Sequence, residues 1–292
     1  QYLGARPVLV DVDLVTLNLD VEDAERRLRG SAEPVRAILP VHFGGLPCEM
    51  DAITAFARRY GLAVVEDAAH ALPASYRGRS VGTLGAAASF SFYATKNLTP
   101  GEGGMVTTED PDVAERVRCM SLHGISRDAW KRYTAEGSWY YEVIAAGYKY
   151  NLTDIAAALG LVQLSRCKAM WRRRAAIAAE YSRNFAAVEE LRVPYPGGPH
   201  VQHAWHLYPL RLRLDRLRLN RAEFIEALRA QGIGASVHFI PLHLQPHYRD
   251  RFGYGPEDFP TAAAVYPELV SLPLYSAMTD AEVERVVTAV LG

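Results

Sequence analysis

The chain has 292 residues, of which 49% are hydrophobic and 22% are charged, and it contains 22 glycines and 17 prolines. This balance is typical of a soluble globular protein with a sizeable core, and it excludes a disordered, collagen-like or coiled-coil chain. The 32 basic residues nearly match the 33 acidic ones, and a net charge of -1 gives no overall attraction to nucleic acid or to an anionic membrane. We therefore expect small molecules, or a second copy of the chain, as partners.

The cysteines and the first residues bear on the compartment in which the protein works. Cys48, Cys119 and Cys167 stand far apart and form no CxxC pair. This pattern favours a reducing compartment, the cytoplasm, over a disulfide framework or a zinc site. No apolar run reaches the roughly 18 residues that a membrane span needs, and residues 1–7 lack the pattern of a signal peptide.

The first part of the chain alternates strand-like and helical patterns. Strands are predicted at residues 8–10, 37–41 and 62–65, and helices at residues 21–28 and 50–60. Uniformly apolar runs suit strands that are buried on both faces, and crossovers of this length join parallel strands. The order predicts a parallel-rich sheet with helices on both sides.

Two further strands are predicted at residues 88–92 and 104–108. The loop between them contains Lys96 and Pro100 and ends in glycines 101, 103 and 104. No helix pattern follows the glycines, so a tight turn between strands is favoured over a phosphate-binding loop. Such a loop can hold a side chain over the edge of the sheet.

The sequence pattern of the second half of the chain predicts a smaller domain. A long helix with Thr153 as its N-cap joins the two parts, and the breaker-rich stretch 193–199 is the best candidate for a linker. The basic cluster at residues 172–174 is interpreted as a solvated face of this helix. We predict a large α/β domain over residues 1–170, and a linking helix with a small α+β domain over residues 171–292. Within the small domain, strands are predicted at 206–214 and 235–240, and helices at 221–231 and 280–291.

A carboxylate, an imidazole and an amine stand out as candidates for chemistry. Glu66 and Asp67 end a predicted strand, where open α/β sheets bind ligands, and His70 follows three residues after Asp67. The protonated ring nitrogen of a cofactor would neutralise such a carboxylate; the alternative is an Asp N-cap beside a satisfied His. Lys96 follows an apolar strand, where partial desolvation would lower its pKa and allow it to form a Schiff base. The alternative is a lysine at the solvent edge of the loop.

Short motifs occur in a fixed order over essentially the whole chain. They include VEDAAHA at 65–71, SFSFYATKNL at 89–98, GEGGMV at 101–106, GYKYN at 147–151, HAWHLY at 203–208 and SLPLY at 271–275. Together they resemble the DegT/DnrJ/EryC1/StrS sugar aminotransferases, which use pyridoxal 5′-phosphate. The resemblance implies the aspartate aminotransferase-like fold, fold type I, in which a large domain with a mainly parallel sheet precedes a smaller C-terminal α+β domain.

The resemblance also implies roles for individual residues. Lys96 matches the lysine that forms the Schiff base with the cofactor and shuttles the proton. Asp67 matches the acid that keeps the pyridine nitrogen protonated, which the electron sink requires. His70 stands where many members have Gln beside the phenolic oxygen of the cofactor, and Ser91 matches a hydroxyl that contacts its phosphate.

Other roles would depend on a second subunit or on the substrate. Lys149 and Asn151 lie in the stretch that reaches into the neighbouring subunit's site in the family, so the resemblance implies a homodimer. His206, His238 and His243 are candidates for the sugar-nucleotide pocket, although each is also a candidate structural histidine.

The resemblance predicts an aminotransferase that moves an amino group from an amino acid, expected to be L-glutamate, to a nucleotide-linked keto-sugar. One alternative is a sugar dehydratase of the same family, which Lys96 disfavours because those members carry His at this position. The other is a noncatalytic regulatory homologue. Family members have an opening segment that grips the cofactor phosphate, and the matched motifs begin after it. We therefore expect the large domain in this sequence to lack its N-terminal part.

Overall fold

The computed structural model describes residues 1–125 and 141–292 of the chain. The helices in these ranges are α1 (Val21–Gly30), α2 (Met50–Tyr60), α3 (Pro111–Ser121), α4 (Asp154–Phe185), α5 (Arg221–Ala230), α6 (Pro246–Phe252), α7 (Pro260–Val265) and α8 (Asp280–Leu291). The strands are β1 (Ala37–Ile38), β2 (Ala63–Asp67), β3 (Ser75–Tyr76), β4 (Arg79–Ser80), β5 (Ala87–Ser91), β6 (Gly104–Thr107), β7 (Leu191–Arg192), β8 (Val201–Gln202), β9 (Tyr208–Leu212) and β10 (Leu269–Leu272). None of the helices in the described residues is long and apolar enough to cross a membrane.

A four-stranded sheet with the order β1-β2-β5-β6 organises the first part of the chain. β2 runs parallel to β1 and to β5, whereas β5 and β6 are antiparallel. Side chains of α2, including Ile53 and Phe56, pack against Val64 of β2 and bury one apolar face. Gly61 ends α2 in the left-handed conformation, at a φ of 65°, and lets the chain turn into β2. The sheet with its helices confirms the α/β class.

A second core organises the C-terminal part. β9 lies between β10 and β7 in an antiparallel sheet, and every residue of β9 and β10 is buried. Tyr181 and Phe185 from the end of α4 pack on this sheet together with Val286 of α8. α4 begins with Thr153 as its N-cap, as predicted, since the Thr153 hydroxyl accepts from the Ala156 N–H. The predicted boundary at residues 170 and 171 falls inside α4 and stays a prediction.

Two predicted strands are wrong. Residues 8–10 form no strand, because their backbone meets no neighbouring strand: the N–H of Leu9 donates to the Tyr254 hydroxyl at 3.5 Å. Of residues 235–240, only Ser236 pairs with the sheet, through a bridge to Ser271. The chain then leaves the sheet, and the ring of His238 bonds to the Ser271 hydroxyl instead.

The interpretation of residues 172–174 as a solvated face is also wrong. Arg174 is buried, and its Nη1 donates to the carbonyls of Trp205, His206 and Leu274. Burial lowers the pKa of Arg174 to about 10. Arg173 donates to the Met278 carbonyl, so two of the three arginines bind backbone oxygens of the C-terminal part. Arg173 and Arg174 therefore connect α4, through hydrogen bonds, to the segments at residues 205–206 and 274–278.

Candidate active site

The end of β2 and the loop after β5 bring Asp67 and Lys96 to one cleft. The parallel register pairs Asp67 with Ser89, so the chain that continues from β5 to Lys96 starts beside the Asp67 end of β2. Burial lowers the pKa of the Lys96 amine, and the Asp67 carboxylate opposes this shift. The cleft therefore holds an amine that loses its proton more readily than an exposed lysine does, close to an anion.

The Asp67 carboxylate is fixed on one side and open on the other. Its Oδ1 accepts the Ala69 N–H at 3.0 Å, and its backbone N–H donates to the Pro40 carbonyl at 2.9 Å. Oδ2 has no hydrogen-bond partner among residues 1–125 and 141–292. A partly buried anion with an open oxygen is suited to a cationic group of a ligand.

His70 is held as a neutral hydrogen-bond donor. Its Nδ1 accepts the N–H of Gly44 at 3.3 Å, so the ring proton sits on Nε2. Burial, reinforced by Lys96 and His238, lowers the pKa of His70 to about 3. No described side chain or carbonyl accepts from Nε2, which leaves one N–H for a ligand.

The ring of His206 lies beside that of His70 and is oriented by Asn97. The two imidazole centroids are 4.4 Å apart. Asn97 donates through Nδ2 to the carbonyls of Leu72 and Ala204, at 2.9 and 3.0 Å, so its Oδ1 accepts the Nδ1–H of His206 at 3.2 Å. Burial lowers the pKa of His206 to about 2, so the ring is neutral. Sequence reasoning missed Asn97, and its place directly after Lys96 was the available signal.

His238 belongs to the same group and His243 does not. The Nδ1 of His238 lies 2.8 Å from the Ser271 hydroxyl, and burial together with Lys96 lowers the pKa of His238. The His243 ring instead stacks on Phe259, with centroids 4.6 Å apart. The structure therefore joins His206 and His238 to the cleft and places His243 in a separate packed position.

The remaining predicted residues make no hydrogen bond to Asp67, His70 or Lys96 in the described part of the chain. Ser91 ends β5 and accepts the Tyr93 N–H at 3.4 Å through its hydroxyl. Lys149 and Asn151 are exposed, and the Lys149 ammonium donates to the Asn151 side chain. Their roles toward a cofactor stay predictions.

The side chain of Glu66, next to Asp67, fixes the end of β2 through hydrogen bonds to neighbouring segments. Its fully buried carboxylate accepts from the Nε2 of His42 at 3.1 Å and from the N–H groups of Gly82, Leu84 and Gly85 at 3.1, 2.9 and 2.8 Å. Burial alone would raise the pKa of Glu66, but these four hydrogen bonds outweigh it and lower the pKa. Glu66 thus has a structural role, while Asp67 faces the cleft.

Replacing Glu66 with Ala should therefore destabilise the fold strongly. The change would leave an imidazole N–H and three backbone N–H groups buried without an acceptor, and each such donor costs about 1–3 kcal/mol. We expect the free energy of unfolding to fall by at least about 3 kcal/mol in urea denaturation. Glu33→Ala, at an exposed carboxylate, is the matched control and should change it by less than about 0.5 kcal/mol. Equal losses in both variants would contradict the assigned role.

The three open groups fit a pyridoxal phosphate molecule. Its aldehyde, its protonated ring nitrogen and its phenolic oxygen call for a nucleophilic amine, an anion and a hydrogen-bond donor. Lys96, Asp67 Oδ2 and His70 Nε2–H offer these functions in one cleft.

Comparisons with known proteins extend over the whole chain. The family model described as the DegT/DnrJ/EryC1/StrS aminotransferase family matches residues 1–291. Uncharacterized protein MJ1066 of Methanocaldococcus jannaschii is 56% identical over 286 residues, which cover 98% of this chain and 73% of that protein. Spore coat polysaccharide biosynthesis protein SpsC of Bacillus subtilis is 48% identical over 291 residues, which cover 99% and 74%.

Solved structures share the fold. Spr1654 from Streptococcus pneumoniae, in its PMP form, superposes with a TM-score of 0.88 at 30% identity, covering 99% of this chain and 76% of that one. Sugar aminotransferase CalS13 from Micromonospora echinospora superposes with a TM-score of 0.82 at 30% identity, covering 96% and 73%.

Proposed function

The chain belongs to the DegT/DnrJ/EryC1/StrS aminotransferase family, and on that basis we propose that it is a pyridoxal phosphate-dependent sugar aminotransferase. The amino donor is L-glutamate, and the acceptor is the ketone of a nucleotide-linked sugar. The observation that carries the proposal is the grouping of the Lys96 amine, the open Asp67 oxygen and the His70 N–H in one cleft. The relatives named for polysaccharide biosynthesis and for sugar aminotransfer support the class of acceptor.

Lys96 performs two tasks in this proposal. Its Nζ would hold the cofactor, and once a donor amine has displaced it, Nζ would carry a proton as general base and then as general acid. Covalent attachment and proton abstraction need the neutral amine, and burial favours that form by lowering the Lys96 pKa. The chemistry that bound pyridoxal phosphate adds is an electron sink for the carbon that loses its proton.

Asp67 and His70 would contact two different groups of the cofactor ring. Asp67 keeps a proton on the ring nitrogen through its open Oδ2, because a nearby anion favours the protonated form. His70 donates its Nε2–H to the phenolic oxygen and does not act as a base, since its pKa of about 3 keeps the ring neutral and its Nδ1 is occupied by Gly44. Ser91 contacts the phosphate, and His206 and His238 face the sugar nucleotide.

A second copy of the chain completes the site in this proposal. Lys149 and Asn151 are exposed and would reach the neighbouring cofactor across a dimer interface. The apolar residues that open α4 support such an interface, since Ile155 is 79% exposed and Leu161 is 68% exposed. Contiguous exposed apolar surface of this kind marks contact with another protein surface.

The absorption spectrum of the purified protein after addition of pyridoxal phosphate tests the proposal. We expect a visible band that requires a free amine at residue 96 and is bleached by glutamate, and we expect a nucleotide-linked keto-sugar to restore it. Lys96→Ala should show no such band, whereas Lys168→Ala, at an exposed lysine, should behave as the wild type. An unchanged band in Lys96→Ala, or no band in the wild type, would overturn the proposed function.

A further inference from the structure

A separate cavity lies between the two parts of the chain, and its lining includes none of Asp67, His70 and Lys96. Its volume is about 450 Å³, within the range of small-molecule sites. Segments 14–17 and 43–46 form one wall, and segment 192–196 with the start of β9 forms the other. Most of the lining is apolar, with Leu14, Phe43 and Pro194 among the contributing residues.

One imidazole in this lining, that of His203, has a ring N–H without an acceptor among the described residues. His203 is 5% exposed, lines the cavity, and stacks flat on Trp205 with ring centroids 3.9 Å apart. Its Nδ1 accepts the Trp205 N–H at 2.8 Å, so the proton lies on Nε2. Among residues 1–125 and 141–292, Nε2 finds no acceptor. This N–H is therefore open to the cavity, where an acceptor on a ligand can bind it.

The cavity also contains a cation with no counterion. Two arginines line it, and Arg211 is engaged by Glu268, at 2.8 Å, and by the Leu14 carbonyl, at 2.9 Å. Arg192 is exposed at the edge and has neither an ion pair nor a side-chain hydrogen bond within the described ranges. The guanidinium fork of a free arginine matches a carboxylate.

We propose that this cavity is a second small-molecule site, which takes a ring-bearing carboxylate. The ring fills the apolar space beside Phe43, a ligand oxygen accepts from His203 Nε2–H, and the carboxylate pairs with Arg192. This inference does not depend on the proposed function. Its occupant would touch the Phe43–Gly45 turn, whose Gly44 N–H holds His70 and whose Gly44 carbonyl accepts the His206 N–H at 2.9 Å.

Calorimetric titration of the holoenzyme with 1-naphthoate tests the site, and the neutral 1-naphthamide serves as the uncharged probe. We expect saturable binding of one naphthoate per chain. Arg192→Met should weaken it at least about tenfold, the loss of one charge-assisted pair, and should leave naphthamide binding unchanged. Arg218→Met, at an exposed arginine outside the cavity lining, is the matched control and should bind as the wild type.

A filled cavity gives an independent check. Val15 lines the cavity and is 61% exposed, so Val15→Trp can occupy the space at little cost to folding. We expect this variant to lose naphthoate binding, whereas Leu219→Trp, at an exposed residue outside the cavity lining, should keep it. The proposal is overturned if the wild type shows no saturable binding, if Val15→Trp binds as well as the wild type, or if Arg192→Met and Arg218→Met bind alike.

Discussion

Asp67→Asn should lower the catalytic rate by a factor on the order of a hundred to a thousand while leaving the fold intact, the size of effect seen when one preorganised electrostatic contact is removed. The Asn side chain keeps an oxygen for the Ala69 N–H, which Asp67 Oδ1 accepts at 3.0 Å, so the local turn survives. What the variant loses is the negative charge that keeps the cofactor ring nitrogen protonated. Without that proton the ring is a poor electron sink.

The same variant has a second readout that needs no turnover. The Asp67 carboxylate raises the pKa of Lys96 against the effect of burial, so removing the charge should lower that pKa further. More of the Lys96 amine is then neutral near pH 7, and its acylation by a small amine reagent in the cofactor-free protein should become faster. Peptide mass spectrometry measures this rate at Lys96, with Lys168 in the same sample as the internal control. A wild-type catalytic rate in Asp67→Asn, or an unchanged acylation rate, would contradict the pairing of these two groups.

Acidification should unfold the protein at a mildly acidic pH. Burial lowers the pKa values of His70, His203 and His206 to about 3, 3 and 2, whereas a histidine in the unfolded chain titrates near 6.5. Below about pH 6.5 the unfolded state therefore binds protons that the folded state refuses, and the free energy of unfolding falls as the pH falls. Each histidine contributes up to ~1.4 kcal/mol per pH unit, so three contribute up to ~4 kcal/mol per pH unit.

Between about pH 6.5 and pH 5 the free energy of unfolding would fall by up to ~6 kcal/mol. This is comparable with the whole stability of a typical domain, about 5–15 kcal/mol. Urea unfolding at several values between pH 7.5 and pH 5 measures it. His203→Gln removes one of the three titrations and should reduce the slope by about a third. His247→Gln, at an exposed histidine, should leave the slope unchanged. A free energy of unfolding that stays flat between pH 6.5 and pH 5 would show that these imidazoles titrate normally in the folded state.

The elements that sequence predicted best are those with a local start and stop. Helix α2 was predicted with both of its bounds, since its apolar spacing stops at Gly61. Helix α8 was likewise predicted with both bounds, and Thr279 caps it reciprocally with Glu282. Helix α3 was missed although Asp110 caps it and Pro111 begins it, both of which are start signals. Residues 8–10 have no pairing strand and residues 235–240 pair only at Ser236, and pairing is a property of the fold that no local pattern reports.

The residues of the site likewise fall into those that the local sequence predicts and those that only the tertiary structure identifies. Lys96 and Asp67 were predicted because each follows an apolar strand, and the sheet brings them to one cleft. His206 and His243 were equivalent in the sequence, and only tertiary structure separates the one beside His70 from the one against Phe259. The buried cation Arg174 was misread because three consecutive arginines are typical of a solvent face. Its carbonyl partners lie at least 31 residues away along the chain.

The Asn97 side chain forms hydrogen bonds to Leu72, Ala204 and His206, and these partners become available at different stages of synthesis. The bonds to Ala204 and His206 close loops of 107 and 109 residues, far longer than those that close within the first sheet. Because synthesis proceeds from the N-terminus, strands β1 to β6 and the loop with Lys96 are synthesised before residues 204–206. The Lys96 amine is therefore present in the nascent chain before residues 204–206, which enclose it in the folded protein. The cleft takes its final shape only in the last stage of folding, and tight capture of a cofactor must wait for that stage.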